Sequence, residues 1–246
     1  MEHGTNYKRT KKGTKMKLLM ENWKRYLEEE QIEEKLALKK GKNGWWMYSQ
    51  LVAQAYREAP MYDSAAEEGY RALAEWLDKH FGRISTRSRF EFVPRHVYTS
   101  AKDLRSRVES EGVMYVSTLD ADHPVWKGEE GLITNTMFRA WHDWEGHIVK
   151  GKRFTLAGEI GAYNAHAKIV PRVALPVLFT EVVGQICCFY QSGKKNCEQK
   201  AIIMPEFDYI NVGALTTEGE QRFGWKLDEK TKLLVPIGNE VDVEIE

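Results

Sequence analysis

The sequence predicts a mainly α-helical fold with a small β-containing insert, an α+β arrangement in one compact domain over residues 45–246. Three observations predict it. Apolar residues recur at helical spacing through most of the chain, and β-branched and aromatic alternation is confined to the stretch between Arg89 and Trp126. The balance of 42% apolar to 29% charged residues is that of an ordinary globular protein. A chain of 246 residues is long enough to bury a sizeable core.

The elements follow in order. Residues 1–15 lack apolar periodicity and carry five Lys/Arg, which predicts a disordered basic arm. Residues 16–44 hold an amphipathic helix, with Leu19, Trp23 and Leu27 on its stripe, and a glycine-containing linker at 41–44. Trp45, Trp46, Leu51, Val52 and Tyr56 mark a second helix ended by Pro60. Asp63 or Ser64 caps a third, which puts Tyr70, Leu73, Trp76 and Leu77 on one face. In the insert, 89–98 and 112–119 read as strands flanking a helix-like segment. Three helical segments, roughly 134–146, 157–169 and 174–191, come next, followed by packing loops, a short helix and a terminal strand.

Composition narrows the function classes. The 36 basic and 36 acidic residues cancel, so no global field draws the chain to nucleic acid, and no base-reading motif is visible. No stretch is read as a membrane span, and the start has no apolar h-region, so a cytoplasmic protein is expected. Cys187 and Cys188 are adjacent and Cys197 follows a loop. That spacing fits neither a disulfide framework nor a zinc site, and reduced, buried thiols are expected.

Chemistry concentrates around the string FRAWHDWEGH. Histidine is scarce, with seven in the chain, yet His142, His147 and His166 fall close together. On a continuous α-helix a spacing of five separates two side chains by ~140°. Gly146 is expected to resolve this by taking a left-handed turn that swings His147 back toward His142. A third, anionic ligand must come from another element. Glu181 lies in the otherwise apolar LPVLFTEVVGQICCFY, where an unpaired carboxylate is costly, so it is the predicted third metal ligand. Glu159 and His166, one face of the preceding helix, and Asp143 are candidate catalytic or ligand-orienting groups. Trp144 and Tyr163 are candidate substrate-binding side chains, against the simpler reading that most aromatics here are core. Two imidazoles and a carboxylate with positions left open suit Fe(II) oxygen chemistry.

The same residues resemble the iron site of the pterin-dependent aromatic amino acid hydroxylases. There a closely spaced histidine pair precedes an E-I-G segment and a glutamate ligand in a later helix. Here the counterparts are His142-Asp143-Trp144-Glu145-Gly146-His147, Glu159-Ile160-Gly161 and Phe179-Thr180-Glu181-Val182-Val183-Gly184. The resemblance implies His142, His147 and Glu181 as iron ligands and an O2-using hydroxylase with an external reductant, such as a pterin. It spans only the site motifs. No counterpart of the family's pterin or substrate-carboxylate segments precedes them, so the implied substrate is an unidentified aromatic or nucleobase-like small molecule. The wider string also resembles uncharacterised phage and bacterial proteins, and the leader MKLLMENWKRYLEEE resembles those of tailed-phage proteins, which implies a bacterial host cytoplasm. Two alternatives remain at this level: a zinc hydrolase using metal-bound hydroxide, and a non-enzymatic phage accessory or virion protein.

Overall fold

A computed structural model describes residues 44–193 and 197–238. The predicted basic arm (1–15) and nearly all of the leader helix and linker (16–44) lie outside the described residues. The chain divides into Met1–Lys40 and Gly41–Glu246, and all the described residues belong to the second unit.

Helix α1 (Gly44–Glu58) opens the unit. Asp63 then accepts a hydrogen bond from the Ala65 amide and starts a short turn that runs into α2 (Glu67–Ser85). The insert is a compact β–α–β crossover. β1 (Arg89–Val93) and β2 (Val113–Ser117) pair in parallel, Arg89 opposite Val113, with α3 (Ala101–Glu111) between them. Ser100 caps α3, and Gly112 ends it in the left-handed conformation.

Beyond the insert come α4 (Gly128–His142), α5 (Leu156–His166), α6 (Leu175–Phe179) and α7 (Gln185–Gln191). Two π-helical segments interrupt the series: Asp143–Val149 extends α4, and Thr180–Gly184 joins α6 to α7. A short helix α8 (Thr217–Phe223) and a hairpin of β3 (Trp225–Leu227) with β4 (Leu234–Pro236) complete the described chain.

The main core is built from the inward faces of α1, α2 and α6, with Val52, Tyr56, Leu73, Leu77, Val177, Leu178 and Phe179 essentially inaccessible. A second, smaller core lies under the insert, where Leu104, Met114 and Val116 meet Ala140 and Trp144. Through it the crossover braces the junction of α4 with its π-helical extension. The continuous helical run Arg172–Gln191 is long and apolar enough to cross a bilayer, but 67% of its most apolar window is buried within the fold. Its apolarity is that of a central core helix.

The cysteines depart from expectation. Cys188 and Cys197 form a disulfide, leaving Cys187 as a buried thiol. Cys197 is bonded back to the helix, a pairing that residue spacing does not reveal.

Candidate metal centre

The expected left-handed turn at Gly146 does not occur. Gly146 is not among the positive-φ glycines, and the chain continues from α4 into the π-helical segment, in which the Lys150 amide donates to the Glu145 carbonyl, five residues back. That winding brings residue i+5 one turn above residue i. His142 and His147, five apart, therefore share a face without any bend. Gly146 serves close approach instead. A Cβ there would lie 3.0 Å from the Ala162 methyl and 3.4 Å from His166 Nε2, so glycine lets α5 press against the π turn.

Three donor atoms converge where these elements meet. His142 Nε2 lies 3.1 Å from His147 Nε2 and 3.2 Å from Glu159 Oε2, and His147 Nε2 lies 3.5 Å from the same oxygen. Glu159 sits in the first turn of α5, which Thr155 caps through the Gly158 amide. Gly158 is forced, because a Cβ would fall 2.1 Å from the Arg153 carbonyl oxygen. Among the described residues, His142, His147 and Glu159 form the group of three ligand-type side chains able to hold one metal ion.

The protons fit this assignment. His147 Nδ1 lies 3.0 Å from the Lys152 carbonyl, which only accepts, so Nδ1 carries the hydrogen and the Nε2 lone pair faces His142. Metal–ligand bonds of about 2.1 Å place neighbouring donors about 3.0 Å apart at 90° and about 3.4 Å apart at a tetrahedral angle. Two of the observed spacings, 3.1 and 3.2 Å, fall within that range, and the third, 3.5 Å, lies just above it. Burial alone would raise the Glu159 carboxyl, but His147 and His142 outweigh it and hold it at about 2. Burial lowers His147, and Glu159 more than restores it, so its net shift is upward.

Around the triad, the other predicted residues take different places. Asp143 lines the same cavity, and burial pushes its carboxyl up against the pull of His147 and His142. His166 is fully buried behind His142, with its Nε2 3.1 Å from His142 Nδ1. Burial and the adjacent His142 and His147 keep it well below the usual histidine range. The two predicted substrate contacts are core residues. Trp144 packs in the small core under the insert, and Tyr163, wholly buried, donates to the Tyr209 carbonyl and meets the Phe179 ring edge-on. Neither lines the cavity.

Glu181, the predicted third ligand, is not part of the converging group. Its carboxylate accepts from four donors: Tyr70 OH at 2.5 Å, His123 Nε2 at 3.1 Å, and the Gln185 and Gln199 amides at 3.0 Å each. Two backbone amides, of Val125 and Trp126, donate to His123 Nδ1 and so fix the hydrogen on Nε2, facing Glu181. Burial and Glu181 together push the Tyr70 hydroxyl up, so it keeps its proton and donates. Four donors fill the roughly four lone-pair sites of a carboxylate. The cost of burying this charge is offset by hydrogen bonds rather than by a metal.

Sequence reasoning missed Arg105 altogether. It reaches from α3 to the carbonyls of His147 (3.0 Å), Gly151 (3.2 Å) and Lys152 (3.5 Å), tying down the backbone that orients His147. An arginine on a polar helix gives no sequence signal of this.

His142 and Glu159 line a cavity of about 910 Å³, bounded by Phe138, Val182 and Ile186 on its apolar side and by Arg139, Glu181 and Gln185 on its polar side, whereas His147 is fully buried and does not line it. No protein-family model matches the chain, and no curated protein or solved structure matches it. Of the site expected from the sequence, the structure bears out a possible His–His–Glu metal triad, with Glu159 in the place expected for Glu181.

Proposed function

We propose that the chain is a mononuclear non-haem iron enzyme, an O2-using hydroxylase of a small-molecule substrate, with His142, His147 and Glu159 as the metal ligands. The observation that carries the reading is the convergence of two imidazole nitrogens and one carboxylate oxygen within 3.5 Å, two of the three residues lining a large cavity. His142, His147 and Glu159 would hold Fe(II), which would supply oxygen activation with electrons from an external reductant such as a pterin. The chain's own residues supply geometry. The π turn and α5 hold the donors, and the polar wall orients an aromatic or nucleobase-like ligand.

One observation favours a second reading, a zinc hydrolase. Asp143 sits beside the triad on the cavity wall, where its carboxyl is placed to serve as a general base.

Metal analysis separates the two. Protein prepared anaerobically without chelator or nickel resin is expected to bind one Fe(II) per chain. His142→Ala, His147→Ala and Glu159→Ala are each expected to lose it, and Glu181→Gln to retain it. Stoichiometric iron in all three triad variants would sink the site, and air-stable zinc that supports hydrolysis would replace the first reading with the second.

A further inference from the structure

His142 has a second ring nitrogen, and what faces it is unusual for a metal ligand. The distal nitrogen of a ligating histidine ordinarily donates to a carboxylate, a backbone carbonyl or water. Here Nδ1 faces the Nε2 of another histidine, His166, at 3.1 Å. With His142 Nε2 turned to His147 and Glu159, His166 lies on the far side of the ring and is not a fourth ligand to the same ion.

His166 is held tightly. It is inaccessible to solvent, its ring centroid is 4.2 Å from that of Trp141, and Gly146 has no side chain to displace it. Its other nitrogen, Nδ1, is buried without a hydrogen-bond partner among the described residues. Orphaned buried polar atoms are rare because they are costly. An apolar ring would fill the same space without that penalty, so packing alone does not account for a histidine here.

Resting on the metal-site reading above, we infer that His166 is the positioning residue of the centre: it accepts the His142 Nδ1 hydrogen and so keeps His142 Nε2 bare and aimed at the ion. The proton arrangement follows. His142 carries its hydrogen on Nδ1 in the loaded site, His166 is bare at Nε2, and the His166 hydrogen sits on the orphaned Nδ1. The acceptor is uncharged, so His142 is restrained in orientation and tautomer without the added negative charge of the usual carboxylate.

The test uses the full-length chain, stripped with chelator and titrated with Co(II) against a competing chelator. His166→Phe keeps a ring and removes the acceptor, and should weaken Co(II) binding by about ten- to a hundredfold and alter the visible Co(II) absorption. His166→Gln restores an acceptor and should recover most of the affinity and the wild-type spectrum. A folded H166F protein that binds Co(II) like wild type overturns the inference, as does an H166Q protein no better than H166F. Nitrogen–proton correlation spectra of the Zn(II)-loaded wild type give an independent readout. Hydrogens on Nδ1 of both His142 and His166 are expected, and a hydrogen on His166 Nε2 overturns the assignment even if H166F does not fold. Wild-type protein that takes up no Co(II) or Zn(II) removes the metal site itself, which is a different result from a loaded site indifferent to His166.

Discussion

Two buried carboxylates on successive helices solve the same problem by different means. Glu159 faces two imidazoles and Glu181 faces four hydrogen-bond donors, and their substitutions should separate accordingly. Glu181→Ala takes the acceptor from the His123 ring and two amides, and leaves the Tyr70 hydroxyl only the longer contact with the Lys200 carbonyl (3.3 Å). A stability loss of roughly 2–4 kcal/mol is expected from groups left unsatisfied, read by chemical denaturation in chelator, with metal stoichiometry intact. Glu159→Ala should do the reverse, abolishing metal uptake while removing the attraction that raises His147. If Glu181→Ala releases the metal and Glu159→Ala does not, the assignment of the third ligand is inverted. The sequence showed both carboxylates, and for Glu181, in its apolar run, the need to satisfy a buried charge. It did not show which partners each meets, because Tyr70, His123 and Gln199 reach Glu181 from distant parts of the chain.

At the level of elements, helix positions and the β–α–β insert were legible because periodicity and capping residues are local: Ser100 and Gly112 bound α3 where the pattern changes. The winding of the histidine segment was not. Whether a glycine bends a helix or admits a neighbour depends on what packs against it, and α5 packs against Gly146. The insert matters to the site through Arg105, whose guanidinium joins α3 to the carbonyls of His147, Gly151 and Lys152. Arg105→Ala should leave the crossover folded, since the small core under it is apolar, yet loosen the strap that sets the His147 tautomer. A fall in Co(II) affinity of about ten- to a hundredfold is expected, with partial recovery in Arg105→Lys. Unchanged affinity in a folded R105A protein would mean that the π turn holds His147 unaided.

Across the described molecule, one short segment links the cavity to the main core. Cys197 is bonded to Cys188 on α7, the Glu198 carbonyl accepts from Tyr56 of α1, Gln199 donates to Glu181, and the Lys200 ammonium donates to the carbonyls of Arg57 and Ala59. The disulfide closes a loop with a sequence separation of 9, and a loop of roughly ten residues corresponds to roughly 2.5 kcal/mol of chain-entropy stabilisation. For a domain of this size that is a melting shift of roughly 5–10 °C. The triad is carried by α4, its π extension and α5, and the hydrogen bonds among its members do not involve the bonded segment. Reduction of the wild type and the double substitution C188A/C197A should therefore lower the melting temperature by the same amount while leaving Co(II) affinity within about threefold, a change of less than 1 kcal/mol. A matched loss of stability and metal binding would instead make the segment around Gln199 part of what holds the triad together, through Glu181 and the cavity wall they share.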